Sequence, residues 1–234
     1  MVKLAMAMAG AVAIGFSITP PAPGTRATVS GRVTFNGSEP AAEQVDMSSE
    51  AFCRDAQGKI VARRRVKVGT QNGLADVVVH VKGVAAAGGP PPTEPVMLDQ
   101  KNCLYDPAVL ALRVGQPLVI RNSDGVLHNV HAFPKKSPAF NLGQPLAGMK
   151  STRTFKAAEV GIPVKCDIHE WMDATIAVFD HSYFAVSGAD GTFSITGLPA
   201  GEYEIEAWHP TLGTRTQRIK VGTDALQVAF AFGS

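Results

Sequence analysis

Residues 189–208 read Ala189-Asp-Gly-Thr-Phe-Ser-Ile-Thr-Gly-Leu-Pro-Ala-Gly-Glu-Tyr-Glu-Ile-Glu-Ala-Trp208. Two alternating runs, 192–195 and 203–208, sit between turn residues: Asp190-Gly191 before the first, and 198–201 (Leu-Pro-Ala-Gly) between them. Alternation with period two sends successive side chains to opposite faces, which is what a strand with one buried face requires. The same pattern extends in both directions. Thr28-Val-Ser-Gly-Arg-Val-Thr-Phe35 ends at the turn pair Asn36-Gly37, and 75–82 follows the turn Asn72-Gly73. Short runs at 110–113 and 117–121 bracket Gly115, while 175–179 is an apolar, β-branched run suited to a buried strand. The stretch 227–232 places Val228, Phe230 and Phe232 on one face. The Gly-Gly-Pro-Pro-Pro core of 85–95 marks a loop. No segment carries a long, capped 3.6-residue periodicity, so the expected fold is all-β and sandwich-like.

The chain of 234 residues is 45% hydrophobic and 18% charged, with a formal charge of +2. That length suits one or two domains with real cores, and the balance excludes wholesale disorder. So small a charge, with no matching motif, gives no reason to expect a nucleic-acid partner. Residues 4–18 form the one long uncharged apolar stretch, which excludes a multi-span membrane protein. At about 15 residues, preceded by Lys3 and followed by the prolines of 19–24, it fits a signal-peptide core better than a membrane span. Residues 1–24 are therefore expected to be a signal peptide. The alternative is an uncleaved N-terminal anchor, since a clean small-x-small cleavage site is missing. Either places the remainder outside the cytoplasm, in the periplasm or an equivalent compartment where disulfides persist. No lipobox-type cysteine lies near the start.

The chemistry is concentrated in Val164-Lys-Cys166-Asp-Ile-His169-Glu-Trp-Met172, directly before the strand at 175–179. A second histidine, His128, lies 38 residues before Cys166 in Arg121-Asn-Ser-Asp-Gly-Val-Leu-His128-Asn-Val-His131. Two imidazoles, one thiolate and a weak thioether are the ligand set of a blue-copper electron-transfer site. A short loop points three side chains at one ion only when neighbouring strands pin its ends, and the fourth ligand then comes from a facing strand. A zinc site would call for further Cys or His nearby, for which His131 is the only candidate.

Asn122…His128-Asn129-Val130 together with Cys166-x-x-His169-x-x-Met172 resembles the cupredoxins, the plastocyanin and amicyanin group in particular. The resemblance covers 104–179, or 27–179 if the earlier strands join the same Greek-key sandwich. It implies that His128, Cys166 and His169 are the strong copper ligands, that Met172 is the long axial one, and that Asn129 braces the cysteine loop. It further implies a single type 1 copper, cycling between Cu(I) and Cu(II), that shuttles electrons between proteins. Such partners are a c-type cytochrome or a periplasmic dehydrogenase. The sequence departs from the family in the Ile-Pro-Val-Lys run before the cysteine and in Trp171 within the loop. Residues 182–234 resemble the carboxypeptidase regulatory-like, transthyretin-type β-sandwich through the pattern DG-x-F…LPAG-x-Y. The opening 29–37 resembles the first strands of the same module. One hypothesis is therefore a discontinuous sandwich of 27–83 plus 182–234 with the copper domain inserted; the other is that 182–234 stands as a module of its own.

The remaining candidates have ordinary readings. On a regular strand His131 points away from His128, so a surface or bracing role is expected. His80, His181 and His209 have no companions in sequence. Met149, remote from the loop, is expected in a core, and the run Arg63-Arg64-Arg65-Val66-Lys67 on an edge strand. Lys135-Lys136 stands close enough to His128 in sequence to steer an encounter. Cys53 and Cys103 form an even pair in an exported chain, so a disulfide is expected, with a redox-active pair as the alternative. Six histidines barely allow the second cluster of a copper oxidase, and no Ser-His-Asp or paired-carboxylate pattern is present. The chain is thus expected to be an electron carrier rather than an enzyme. The alternatives are copper storage, delivery or sensing, and a structural binding module whose metal loop is inactive.

Overall fold

The computed structural model describes residues 26–84 and 86–233. The expected signal peptide, 1–24, lies outside the described residues. What is described is all-β apart from one short α-helix, Ala51–Gln57, and one 3-10 turn. No helix among the described residues is long and apolar enough to cross a membrane.

One sandwich is built from distant parts of the chain. Arg26–Asn36 pairs antiparallel with Thr192–Pro199 and parallel with Leu226–Gly233. The facing sheet orders Phe184–Val186, Val78–Val81, Gly201–His209 and Gly213–Val221, all antiparallel. The alternation seen in the sequence is realised here, with Val228, Phe230 and Phe232 buried while Gln227, Ala229 and Ala231 are not. They join Val29, Val33, Val79, Val81, Phe193 and Ile205 in one core. Two glycines are demanded by close approach. A Cβ on Gly31 would lie 1.7 Å from the Val228 carbonyl oxygen. Gly191 has φ +80° and carries the turn that seats against the Val33 carbonyl.

The second sandwich lies within 96–179. Its five-stranded sheet orders Phe140–Gln144, His128–Ala132, Glu159–Lys165, Asp173–Phe179 and Val109–Arg113. The four-stranded sheet opposite orders Lys150–Arg153, Leu118–Asn122, Val96–Lys101 and Leu104–Asp106. Val96–Lys101 precedes the 104–179 stretch of the resemblance, yet it pairs in parallel with Leu118–Asn122 and buries Leu98 in this core. A patch of Val78, Val109, Ala177 and Phe179 joins the two sandwiches. The Arg113 guanidinium ties the 85–95 loop to the seam, donating to the Gly89 carbonyl and the Ser182 hydroxyl at 2.8 Å each.

Between the first sandwich's strands the chain makes a hairpin, Glu43–Asp46 with Ile60–Arg63, carrying the helix at its tip. Although this segment falls inside 27–83, its apolar residues Val45, Met47 and Cys53 join the core of the second sandwich. The expected disulfide is present: Cys53 and Cys103 are bonded with Cα atoms 5.5 Å apart. Two expectations are corrected. Met149 is 37% exposed and not in a core, because it sits at the turn leading into the edge strand Lys150–Arg153. Only Arg63 of the basic run is in a strand. The chain then leaves the hairpin, and Arg63 and Arg65 both pair with Glu43 and Asp173.

Candidate metal centre

Strand ends position the donor side chains. His128 begins the strand His128–Ala132, and Cys166 follows immediately on Glu159–Lys165. His169 and Met172 lie in the loop that returns into Asp173–Phe179. Lys165 pairs with both Asp173 and His131, so each loop end is clamped in the sheet. The loop closes on itself, with the Cys166 N–H donating to the Met172 carbonyl at 3.1 Å and the Met172 N–H to the His169 carbonyl at 2.9 Å. Seven residues are thereby forced into a tight arch.

The arch brings three donors together. His128 Nδ1 lies 2.9 Å from His169 Nδ1, and Cys166 Sγ lies 3.8 Å from His169 Nδ1. All three residues are buried and offer ligand atoms within 4.8 Å of one another. The Met172 side chain is fully buried in the same core as Cys166. Burial by itself pushes the Cys166 thiol up. Hydrogen bonds with His128 and His169 overcome it and hold the thiol at about 5, so a thiolate is available at neutral pH.

The surrounding residues fix the donors' orientation. Asn129 Oδ1 accepts the Asp167 N–H at 2.7 Å and lies 3.2 Å from Cys166 Sγ, while its amide donates to Asp167 and Asn141. His131 faces outward and contacts Asp167 at 3.1 Å, so it does not join the cluster. Lys135 and Lys136 donate their backbone N–H groups to Glu159.

Three contributors went unrecognised in the sequence. Asp124, buried, sits 2.9 Å from His128 Nε2 and accepts the N–H groups of Asn102 and Cys103. Burial pushes its carboxyl up, but these bonds hold it below the ordinary range, so it stays ionised. It therefore accepts a hydrogen bond from His128 Nε2–H, and Nδ1 is the nitrogen that faces His169. Its spacing of four residues from His128 was visible, but the turn that aims it was not. Trp171 packs against His169 with the rings tilted by 36° and their centroids 5.1 Å apart, and it donates Nε1–H to the Cys103 carbonyl. Glu50, at the N-terminus of the short helix, brings Oε2 to 3.9 Å from His169 Nε2. Cys103 also lies near Asp124 and His128, but its sulfur is held in the disulfide and is no ligand.

One soft thiolate and two imidazole nitrogens, converging in a buried pocket with a thioether residue beside them, match the donor chemistry of a cupric or cuprous ion. His169 Nε2 is buried without a hydrogen-bond partner among the described residues, so the ring meets His128 and Cys166 through Nδ1.

No protein-family model and no curated protein matches this chain. Solved structures similar to part of it include a copper-containing nitrite reductase from Thermus scotoductus SA-01 (22% identity, TM-score 0.34, 40% of this chain). This chain spans only 24% of the reductase's length. A purple cupredoxin from Nitrosopumilus maritimus matches at 22% identity and TM-score 0.30, over 36% of this chain and 98% of its own. An oxidised proline-to-glycine mutant of amicyanin matches at 19% identity and TM-score 0.32, over 43% of this chain and 97% of its own.

Proposed function

We propose that this chain is an exported type 1 copper protein that carries single electrons between redox partners, and that it is not an enzyme. One observation carries the reading: His128 Nδ1, His169 Nδ1 and Cys166 Sγ converge in a buried site. Copper held by such a set supplies a one-electron Cu(I)/Cu(II) couple. The protein's part is to keep the donors nearly fixed. Asp124 orients His128, Asn129 braces the cysteine arch, Trp171 backs His169, and Met172 would supply the thioether. The sandwich of 26–36, 78–81 and 184–233 is a scaffold of the carboxypeptidase regulatory-like kind with the copper unit inserted. Partners are a c-type cytochrome or a periplasmic dehydrogenase.

The test is spectroscopic. Cu(II)-loaded protein is expected to show an intense visible thiolate-to-copper band with narrow hyperfine splitting, and Cys166→Ser to abolish both. Persistence of the band in that variant, or its absence from the unaltered protein, refutes the assignment.

A second reading, copper storage or delivery, is favoured by the coverage of His169. That residue is 2% exposed and lies beneath Glu50, whereas a carrier benefits from a ligand edge near the surface. Rapid electron exchange with a c-type cytochrome separates the two. Slow exchange alongside release of Cu(I) to a chelator supports storage.

A further inference from the structure

The donor residues of the candidate centre are all buried, with His128 at 0% exposure and Cys166, the most accessible, at 4%. An ion therefore reaches them only if a covering segment yields. Two side chains at the tip of the Glu43–Asp46/Ile60–Arg63 hairpin supply cover. Glu50 Oε1 accepts the Phe52 N–H at 3.3 Å, which leaves Oε2 turned toward His169 Nε2 at 3.9 Å. That nitrogen is buried and has no hydrogen-bond partner among the described residues. The Phe52 ring packs on the turn that carries Asp124 and leads to His128, where a Cβ on Gly125 would lie 3.6 Å from Phe52 Cε2. The two side chains thus lie over the two histidines.

This cover is held at points rather than along a sheet. The two strands of the hairpin pair with each other and join neither sandwich, and such a pair has little stability of its own. At its base Arg63 and Arg65 are paired with Asp173. At its tip Cys53 is bonded to Cys103, and Gln57 donates to the Asn102 carbonyl at 3.0 Å. Between these, Val45 and Met47 are packed into the second core. Residues 50–52 come just before the bonded cysteine, so they can swing outward while the anchors keep the rest in place. Openings of this local kind cost less than unfolding the core.

We propose that Glu50 and Phe52 form a gate over the donor cluster, which passes a soft cation inward beside the Glu50 carboxylate and turns back anions. The Glu50 side chain is 36% exposed, so its charge meets an arriving ion before the buried donors do. A fixed negative charge at a narrow entrance raises the local concentration of cations and lowers that of anions. That the passenger is copper rests on the function proposed above. The gate itself is tested without metal, so either can fail while the other stands.

Cys166 reports the opening, because the other two of the chain's three cysteines are bonded to each other. When closing outpaces the reaction, its alkylation follows the population of the open form. In metal-free full-length protein, neutral iodoacetamide and anionic iodoacetate are each compared with their rates on the urea-unfolded chain. Folding is expected to slow iodoacetate more than iodoacetamide. Glu50→Gln is expected to raise the iodoacetate-to-iodoacetamide rate ratio about fivefold, the effect of removing one of two unit charges about 4 Å apart in water. Phe52→Ala is expected to speed both reagents about tenfold, equivalent to about 1.4 kcal/mol of lost packing, and to leave their ratio unchanged. Hydrogen exchange in Asp173–Phe179 is expected to stay as it is in both variants. An unchanged ratio in Glu50→Gln, or unchanged labelling in Phe52→Ala, overturns the inference. A rise in Asp173–Phe179 exchange in step with labelling shows global unfolding and rejects the gate as well. If Phe52→Ala does not fold, the Glu50→Gln ratio decides.

Discussion

His128 has two ring nitrogens in buried hydrogen-bonding positions, and Asp124 determines which one keeps a lone pair. An ionised carboxylate only accepts, so Nε2 carries a proton and Nδ1, which faces His169, is the nitrogen that can give its lone pair to an ion. Asp124→Asn keeps the side chain's shape but allows the amide to donate, which turns the imidazole to the wrong tautomer. The variant is expected to bind copper about 10–100-fold more weakly, the usual effect of losing such a supporting partner. Competition with a chelator of known affinity measures it, and unchanged affinity would show that Asp124 serves only the Asn102 and Cys103 N–H groups. Asn129 acts at the same scale. Its one oxygen touches both the Asp167 N–H and Cys166 Sγ, so the cysteine cannot shift without breaking a buried contact.

The hairpin Glu43–Asp46/Ile60–Arg63 and its helix show how an element can belong to one sandwich by sequence and to another by packing. Its strands follow Arg26–Asn36 in the chain, but Met47 and Cys53 are buried in the second core, and the Cys53–Cys103 bond anchors the helix there. This anchor brings Glu50 to His169. The bond links cysteines 50 residues apart. Replacing both by serine is expected to cost about 4 kcal/mol in the chain-entropy picture, read as a lowered urea midpoint. Hydrogen exchange in the double variant is expected to rise across 43–63 and to stay low in Asp173–Phe179. Uniform exchange across both regions would show that the hairpin is not a separately released unit.

At the scale of the whole molecule, stability should depend on acid through buried histidines outside the candidate metal centre. Burial is the main cause that holds His181 and His209 at about 4, from an ordinary value of 6.5. Between those values the unfolded chain binds more protons than the folded one, so stability is full above pH 6.5 and falls as pH drops toward 4. From pH 7 to pH 5 the loss is on the order of 2 kcal/mol for each histidine. Urea unfolding of metal-free protein at the two pH values measures it, and equal midpoints would contradict the burial argument. His181 also packs at 5.3 Å from Phe179, one of the residues joining the two sandwiches, so its protonation loosens the seam as well as its own site.

Strand identity and the candidate donors were legible in the chain because both depend on short-range spacing. Period two along 226–233 already separates Val228, Phe230 and Phe232 from their neighbours, and Cys166-x-x-His169-x-x-Met172 sits within one loop. The helix Ala51–Gln57 escaped notice because seven residues make too short a periodic run to register, and its stability comes from the Cys53 anchor and tertiary packing. Asp124, Trp171 and Glu50 escaped for a different reason. Each acts through a contact whose aim depends on a turn, a disulfide or a neighbouring strand, and composition and spacing carry no direction. The sequence by itself determined an all-β chain with one Cys/His/Met loop, since alternation and local spacing survive without a fold. Only the tertiary structure decided that Arg26–Asn36 closes on strands near the far end of the chain and that the hairpin crosses to cover His169. Those are pairings between distant segments, and burying the two cores together selects them.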